Sequence, residues 1–200
     1  MPGKTRGLIN VWSAATVALA GIIAVGNGRL AAAQGDAPAG VPPVLLSDGH
    51  AKLCKVDVGD SFPAISLPQA SGGSASLDEI AGKRATVVLF WTPDRWMSRA
   101  ALGDLAKDIS AEQLAAGVAL VGVAVGQDGG AVQAEIDKAG AKFTQWLDAD
   151  GKAFAQVGSV ALPRLYVLDA ERRIVWFDVE YSEATRRELR QALAALRAAR

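Results

Sequence analysis

The sequence is poor in the residues that do most soluble catalysis. Among 200 residues it has one cysteine, Cys54, and one histidine, His50. A single cysteine excludes an intrachain disulfide framework, and a lone histidine with a lone thiol leaves nothing from which to build a zinc site of nitrogen and sulfur ligands. Carboxylates alone would have to hold a metal, and none has ligand spacing, so neither metal nor cofactor is expected. Charge of either sign is also not in excess: 21 Lys and Arg balance 21 Asp and Glu. A nucleic-acid-binding domain normally carries a clustered basic surplus, so that class of partner is set aside. Aromatics are few, at 6%, yet half of all residues are apolar, enough for one domain with a real core.

One long apolar stretch is present, at the N-terminus. Lys4 and Arg6 form a positive region, Val11 to Val25 (VWSAATVALAGIIAV) is apolar, and Ala31-Ala32-Ala33 offers a small-residue cleavage site. Residues 1–33 read as an export signal or, as the alternative, an uncleaved membrane anchor, broken only by Asn10 and Ser13. Either reading places the remainder outside the cytoplasm, in the periplasm or on the extracytoplasmic side of the membrane, with the membrane touched only by this segment. Residues 34–55, rich in Gly, Ala and Pro and without apolar periodicity, read as a solvated linker. The folded domain is then expected over 56–200.

Within it, strand and helix signals alternate. Phe62–Leu67 alternates as a short strand, and Ser76–Ile80 reads as one helical turn. Ala85–Trp91 (ATVVLFW) and Val118–Val125 (VALVGVAV) are unbroken apolar runs suited to parallel, central strands covered on both faces. Helices are expected over 96–109, 131–139 and 183–198, a strand over 142–147 and a helical turn over 152–157. Arg164–Leu168 and Arg173–Val179, separated by Asp169-Ala170-Glu171-Arg172, have hairpin spacing. The order implies an α/β fold, a mixed central sheet flanked by helices on both faces. GQDGG at 126–130 lacks the spacing of a phosphate loop, and LDADG at 147–151 lacks the closing Glu of a calcium loop; both read as turns. Arg186, Arg187 and Arg190 read as the solvated face of the last helix.

Two segments carry a family resemblance. VDVGDSFPAISLPQASGGSASLDEIAGKRATVVLFW resembles the opening of the thioredoxin-like redoxins, which include exported thiol-disulfide oxidoreductases and peroxiredoxins, and LPRLYVLDAERRIVWF resembles their later part. The resemblance spans about 56–196 and implies a thioredoxin-like fold. In the oxidoreductases Phe-Trp is followed by a Cys-x-x-Cys pair at a helix start. Aligned without a gap from Phe90-Trp91, that pair falls on Arg95 and Ser98, and the single peroxidatic cysteine of the peroxiredoxins is missing as well. The family also implies a cis-proline facing the dithiol, matched by Leu162-Pro163, with the residue before it offering backbone groups to an extended peptide.

This replacement has chemical content. A helix N-terminus lowers a thiol's pKa because unpaired N–H groups and the dipole favour the thiolate. Arg95 puts a cation at that positive end, offset by Asp94 if it caps the helix. Ser98 cannot undergo thiol-disulfide exchange, and with His50 in the linker it has no base for hydrolysis. Cys54 belongs to neither motif. It reads as an inert core cysteine, with a Cys54-linked dimer and a peroxidatic thiol as the alternatives.

Three functions remain open. A non-catalytic domain would bind a protein or peptide through Trp91, Arg95, Trp96, Leu162, Pro163 and Arg164, with Arg95, Arg99 and Arg164 converging on an acidic group. An enzyme would act as an oxidoreductase or peroxidase through Cys54 or a partner's thiol. A structural role in the cell envelope is the third.

Overall fold

The computed structural model describes residues 37–127, 129–160 and 162–199. The export signal or anchor expected over 1–33 and the first residues of the expected linker lie outside them. The elements run α1 (Asp48–Ala51), β1 (Ser66–Pro68), β2 (Ser74–Ser76), α2 (Leu77–Ile80), β3 (Ala85–Trp91), α3 (Trp96–Asp108), α4 (Ala111–Ala115), β4 (Val118–Val125), α5 (Gly129–Ala139), β5 (Thr144–Asp148), α6 (Phe154–Val157), β6 (Arg164–Leu168), β7 (Ile174–Asp178) and α7 (Glu183–Ala198).

Five strands form one sheet in the order β5-β4-β3-β6-β7. β3 pairs parallel with β4, and β4 parallel with β5, while β6 runs antiparallel to both β3 and β7. The two unbroken apolar runs are thus adjacent, parallel and central, as their composition requires. Their side chains divide between two cores by the two-residue period of a strand. Val87, Leu89 and Trp91 face one way, toward Ala101, Leu102 and Leu105 of α3 and Leu189 and Leu193 of α7. Val88 and Phe90 face the other way, toward Phe62, Leu77, Phe154 and Tyr166. Helices therefore cover both faces of a mixed sheet, the thioredoxin-like arrangement.

β1 and β2 form a small hairpin that meets the edge strand β5 through a bridge between Gln69 and Trp146. Of the strand expected at Phe62–Leu67, only Ser66 and Leu67 pair in it, and the pairing runs on to Pro68. α4 was not anticipated, although Ser110 and Gln113 form a reciprocal capping box at its start. α5 starts at Gly129, two residues before the expected position.

The described part of the linker is not a solvated spacer. Val41 and Val44 pack on the α3 side, and Val44 and Leu46 reach the opposite core. Gln191 of α7 donates to the Gly40 carbonyl at 3.2 Å. Glycine and proline removed the periodic signal here, yet Val41, Val44 and Leu46 are partly buried against the cores while Leu45 between them stays exposed. Nor is the polar side of α7 simply solvated. Arg186 makes paired hydrogen bonds to Asp108 of α3, at 2.8 Å from Nε and 2.9 Å from Nη2, and pins α7 to α3.

Candidate functional site

The C-terminal end of β3 and the N-terminal end of β6 lie side by side, because Phe90 pairs with Arg164. Two connections meet at this end of the sheet: Thr92–Arg95, leading into α3, and the loop from Gly158 to Pro163, leading into β6. The Leu162–Pro163 peptide is cis.

Of the residues expected to form a binding face, only some reach solvent. Trp96 is 69% exposed, and Arg95 beside it is exposed. Trp91 is wholly buried, a correction to its expected surface role. Its alternation with Leu89 and Val87 turns it into the α3-side core, where its indole Nε1 donates to Gln145 Oε1 at 3.1 Å. Gly122 on the intervening strand makes this possible, since a Cβ there would stand 2.1 Å from the same oxygen. Leu162 is half-buried and Pro163 buried.

Arg164 is the larger correction. It is 0% exposed, and its side chain turns to the Phe154 face of the sheet, away from α3. Nη2 donates to the Leu53 carbonyl at 2.8 Å and to the Ser159 carbonyl at 3.0 Å, Nη1 reaches Cys54 Sγ at 3.5 Å, and the guanidinium carbon sits 5.6 Å from the centre of the Phe154 ring. Gly158 leaves the room for it, since a Cβ there would be 2.3 Å from Nη1. Arg99 is also occupied: it donates to the Pro93 carbonyl and faces Glu135 at 3.8 Å. The three guanidinium groups do not converge, because two of them satisfy backbone carbonyls of their own domain. Only Arg95 projects freely outward.

Arg95 itself stands at the N-cap position of α3, in extended conformation and with no side-chain cap. Asp94 does not cap the helix; its carboxylate accepts from Gln127 at 2.6 Å. The first turn of α3 thus carries a cation and no acidic residue, the reverse of what the dipole favours. Ser98 is 0% exposed, and its hydroxyl has no hydrogen-bond partner among the described residues.

Cys54 lies on the other side of the sheet from Ser98. It packs against the Phe154 core, whereas the buried face of α3 belongs to the opposite core. A sulfur relay between them would need a Cα separation of about 4.4–6.8 Å, which a sheet in between forbids. The thiol donates to the His50 carbonyl at 3.4 Å. Burial pushes its pKa up, and the Arg164 charge and hydrogen bond pull it only part of the way back.

Sequence reasoning missed Val160. It is 73% exposed and held at φ 60°, a conformation that a β-branched residue rarely adopts, in the loop just before Pro163. Nothing local marks it apart from the neighbouring Gly158. The carboxylates of LDADG serve as a turn: Asp148 accepts from the backbone of Ala153 and Phe154, and Asp150 pairs with Lys152 at 2.6 Å.

The AhpC/TSA family model matches residues 58–177. The chain belongs to the AhpC/TSA family. Three solved structures of similar fold set this member in context. A protein of Chlorobium tepidum assigned as the thiol:disulfide interchange protein DsbE is 24% identical, with a TM-score of 0.64 over 71% of this chain and 99% of that one. A secreted Mycobacterium tuberculosis disulfide oxidoreductase homologous to E. coli DsbE is 25% identical, with a TM-score of 0.56 over 66% and 95%. Peroxidoxin BcpB of Mycobacterium tuberculosis is 21% identical, with a TM-score of 0.58 over 72% and 99%. No curated protein matches. This AhpC/TSA chain has a single cysteine and no Cys-x-x-Cys pair.

Proposed function

We propose that the domain binds an extended peptide or protein segment at the end of the sheet where α3 begins, without thiol-disulfide exchange there. The observation that carries this reading is the exposure of Trp96, at 69%, at the start of α3 and of Val160, at 73%, in the loop that leads into β6. Large apolar side chains left mostly in water gain free energy when a partner covers them. Arg95 adds one outward cation, which favours an acidic residue in the partner. The absence of a thiol at Arg95 and Ser98, with the only cysteine behind the sheet, removes the chemistry of exchange from this surface. An apolar leader in residues 1–33 agrees with a partner encountered outside the cytoplasm.

The test is binding of an array of extended acidic and neutral peptides to the wild-type chain and to Trp96→Ala and Arg95→Glu. A productive site loses about 2 kcal/mol or more with Trp96→Ala, the usual weight of a tryptophan anchor. Arg95→Glu weakens acidic peptides selectively. The reading is refuted if Trp96→Ala binds as wild type does. Insulin reduction should be absent from both wild type and Cys54→Ser; turnover lost only in Cys54→Ser would instead establish an enzyme acting through that thiol.

A further inference from the structure

The start of α3 carries three unfavourable features. No side chain caps it, and its N-cap residue is a cation, Arg95, with no acidic residue in the first turn. The N–H groups of a first turn have no intrahelical acceptor, and the helix dipole adds to their partial positive charge. Asp94, the nearest carboxylate in sequence, does not compensate, because it accepts from Gln127 at 2.6 Å. The Arg95 side chain is exposed and makes no hydrogen bond or ion pair among the described residues. The third feature is independent of these two. Ser98, at the third helical position, is wholly buried, and its hydroxyl has no partner among the described residues. A side chain three positions into a helix lies on the same face as the N-cap residue, and its Cα–Cβ bond tilts toward the helix N-terminus. The idle hydroxyl therefore points back to the end where Arg95 stands.

One kind of ligand relieves all three. We propose that the first turn of α3 binds a single carboxylate, which rests on the reading of this end as a peptide-binding surface and names the group it recognises. One carboxylate oxygen accepts from the first-turn N–H groups, in the place that the oxygen of a capping side chain otherwise fills. The Ser98 hydroxyl, on the same residue as one of those N–H groups, donates to that oxygen. The other oxygen takes the Arg95 guanidinium, and Trp96 beside it covers the apolar part of the partner. Backbone N–H, hydroxyl and guanidinium are all donors here, so a group without acceptors satisfies none of them, and a cation would meet both the dipole and Arg95. A singly charged anion matches the site because Arg95 is its one outward cation. Arg99 is committed to the Pro93 carbonyl and Glu135, and Arg164 to the carbonyls of Leu53 and Ser159. The two positions where the family's oxidoreductases carry thiols thus act together, Arg95 supplying charge and Ser98 a hydrogen bond.

The experiment titrates the full chain with three acetylated peptides of one extended apolar sequence: a neutral peptide ending in a carboxamide, the same peptide ending in a free carboxylate, and a carboxamide with one internal Glu. The two acidic peptides distinguish a chain end from a side chain as the source of the carboxylate. At least one of them is expected to bind about 100-fold tighter than the neutral peptide, the worth of two charge-assisted hydrogen bonds. That advantage falls about tenfold in Ser98→Ala and about tenfold in Arg95→Gln, while both variants hold the neutral peptide as wild type does. Sodium acetate, followed through the amide NMR shifts of Trp96 and Met97, tests the site without a peptide. Saturable shifts beyond those given by sodium chloride at the same ionic strength are expected, with weaker affinity in Ser98→Ala. Acidic peptides that bind no tighter than the neutral one, or a preference that Ser98→Ala leaves intact, would overturn the carboxylate site, while Trp96-dependent binding of the neutral peptide would leave the broader reading standing. If no peptide binds, the broader reading falls and acetate decides: saturation upholds the carboxylate site, and its absence overturns it.

Discussion

Replacing Arg164 with Met separates a structural arginine from a ligand-binding one. Met keeps the length and the apolar stem but removes the guanidinium, leaving the Leu53 and Ser159 carbonyls without the donors now at 2.8 and 3.0 Å. Hydrogen bonds from a charged donor are worth about 1.5–3 kcal/mol each, so two lost bonds cost about 3–6 kcal/mol. Against this, the variant no longer has to desolvate a guanidinium that is wholly buried, which recovers part of that cost. The net expectation is a loss of about 2–4 kcal/mol, a large share of the roughly 5–15 kcal/mol by which domains are stable. With a urea m-value of about 2 kcal/mol/M, the unfolding midpoint falls by about 1–2 M. Equilibrium urea unfolding followed by tryptophan fluorescence reads this directly, since Trp91, Trp146 and Trp176 are buried. Trp96→Ala on the same assay should stay within about 0.5 kcal/mol of wild type, as surface substitutions do. The reasoning is refuted if Arg164→Met leaves the midpoint unchanged, because the guanidinium would then have to be solvated rather than bridging residues 53 and 159.

Three further outcomes follow from particular atoms. Ser98→Ala should be neutral or stabilising by up to about 1 kcal/mol in thermal unfolding, because the hydroxyl it removes is buried without a partner; a clear loss would reveal a partner for that hydroxyl. Gly122→Ala should destabilise by about 2–4 kcal/mol, since its methyl displaces the Gln145 amide and orphans the Trp91 indole N–H, and full stability would show that the amide can move at no cost. The hydrogen bonds from Arg186 hold the Asp108 carboxyl below the usual carboxylate range. A depressed folded-state pKa gives stability that is present above the unfolded value of about 4 and lost as pH falls through the folded value. Asp108→Asn should therefore flatten the acid limb of a stability–pH curve while leaving its slope above neutrality alone; an unchanged acid limb would remove the Asp108–Arg186 link from that role.

The strands and long helices of the fold were legible in the sequence. β3, β4, β6 and α7 have the bounds that their patterns give, since a fully apolar run or a clean helical period leaves one low-energy burial arrangement. α4 was legible too, in Ser110 and Gln113, but its short apolar content hid it. The site was legible only as a substitution, Arg95 and Ser98 where the family's oxidoreductases carry thiols. Which of its neighbours face outward was not.

Sequence alone determined that this chain is a thioredoxin-like domain without a dithiol, because covalent composition decides which bonds can form and no folding supplies a missing sulfur. Tertiary structure decided everything that depends on direction. An arginine at the head of a strand reads the same whether it meets solvent or backbone, and Arg164 turns inward because the Leu53 carbonyl, 111 positions away in the chain, needs a donor at that point. Trp91 is buried because Gly122 leaves space for the Gln145 amide above it, and Cys54 lies behind the sheet because a segment rich in proline and glycine packs there rather than floating. Each of these is a contact between residues distant in sequence, settled by the need to pair buried polar groups once the sheet has assembled.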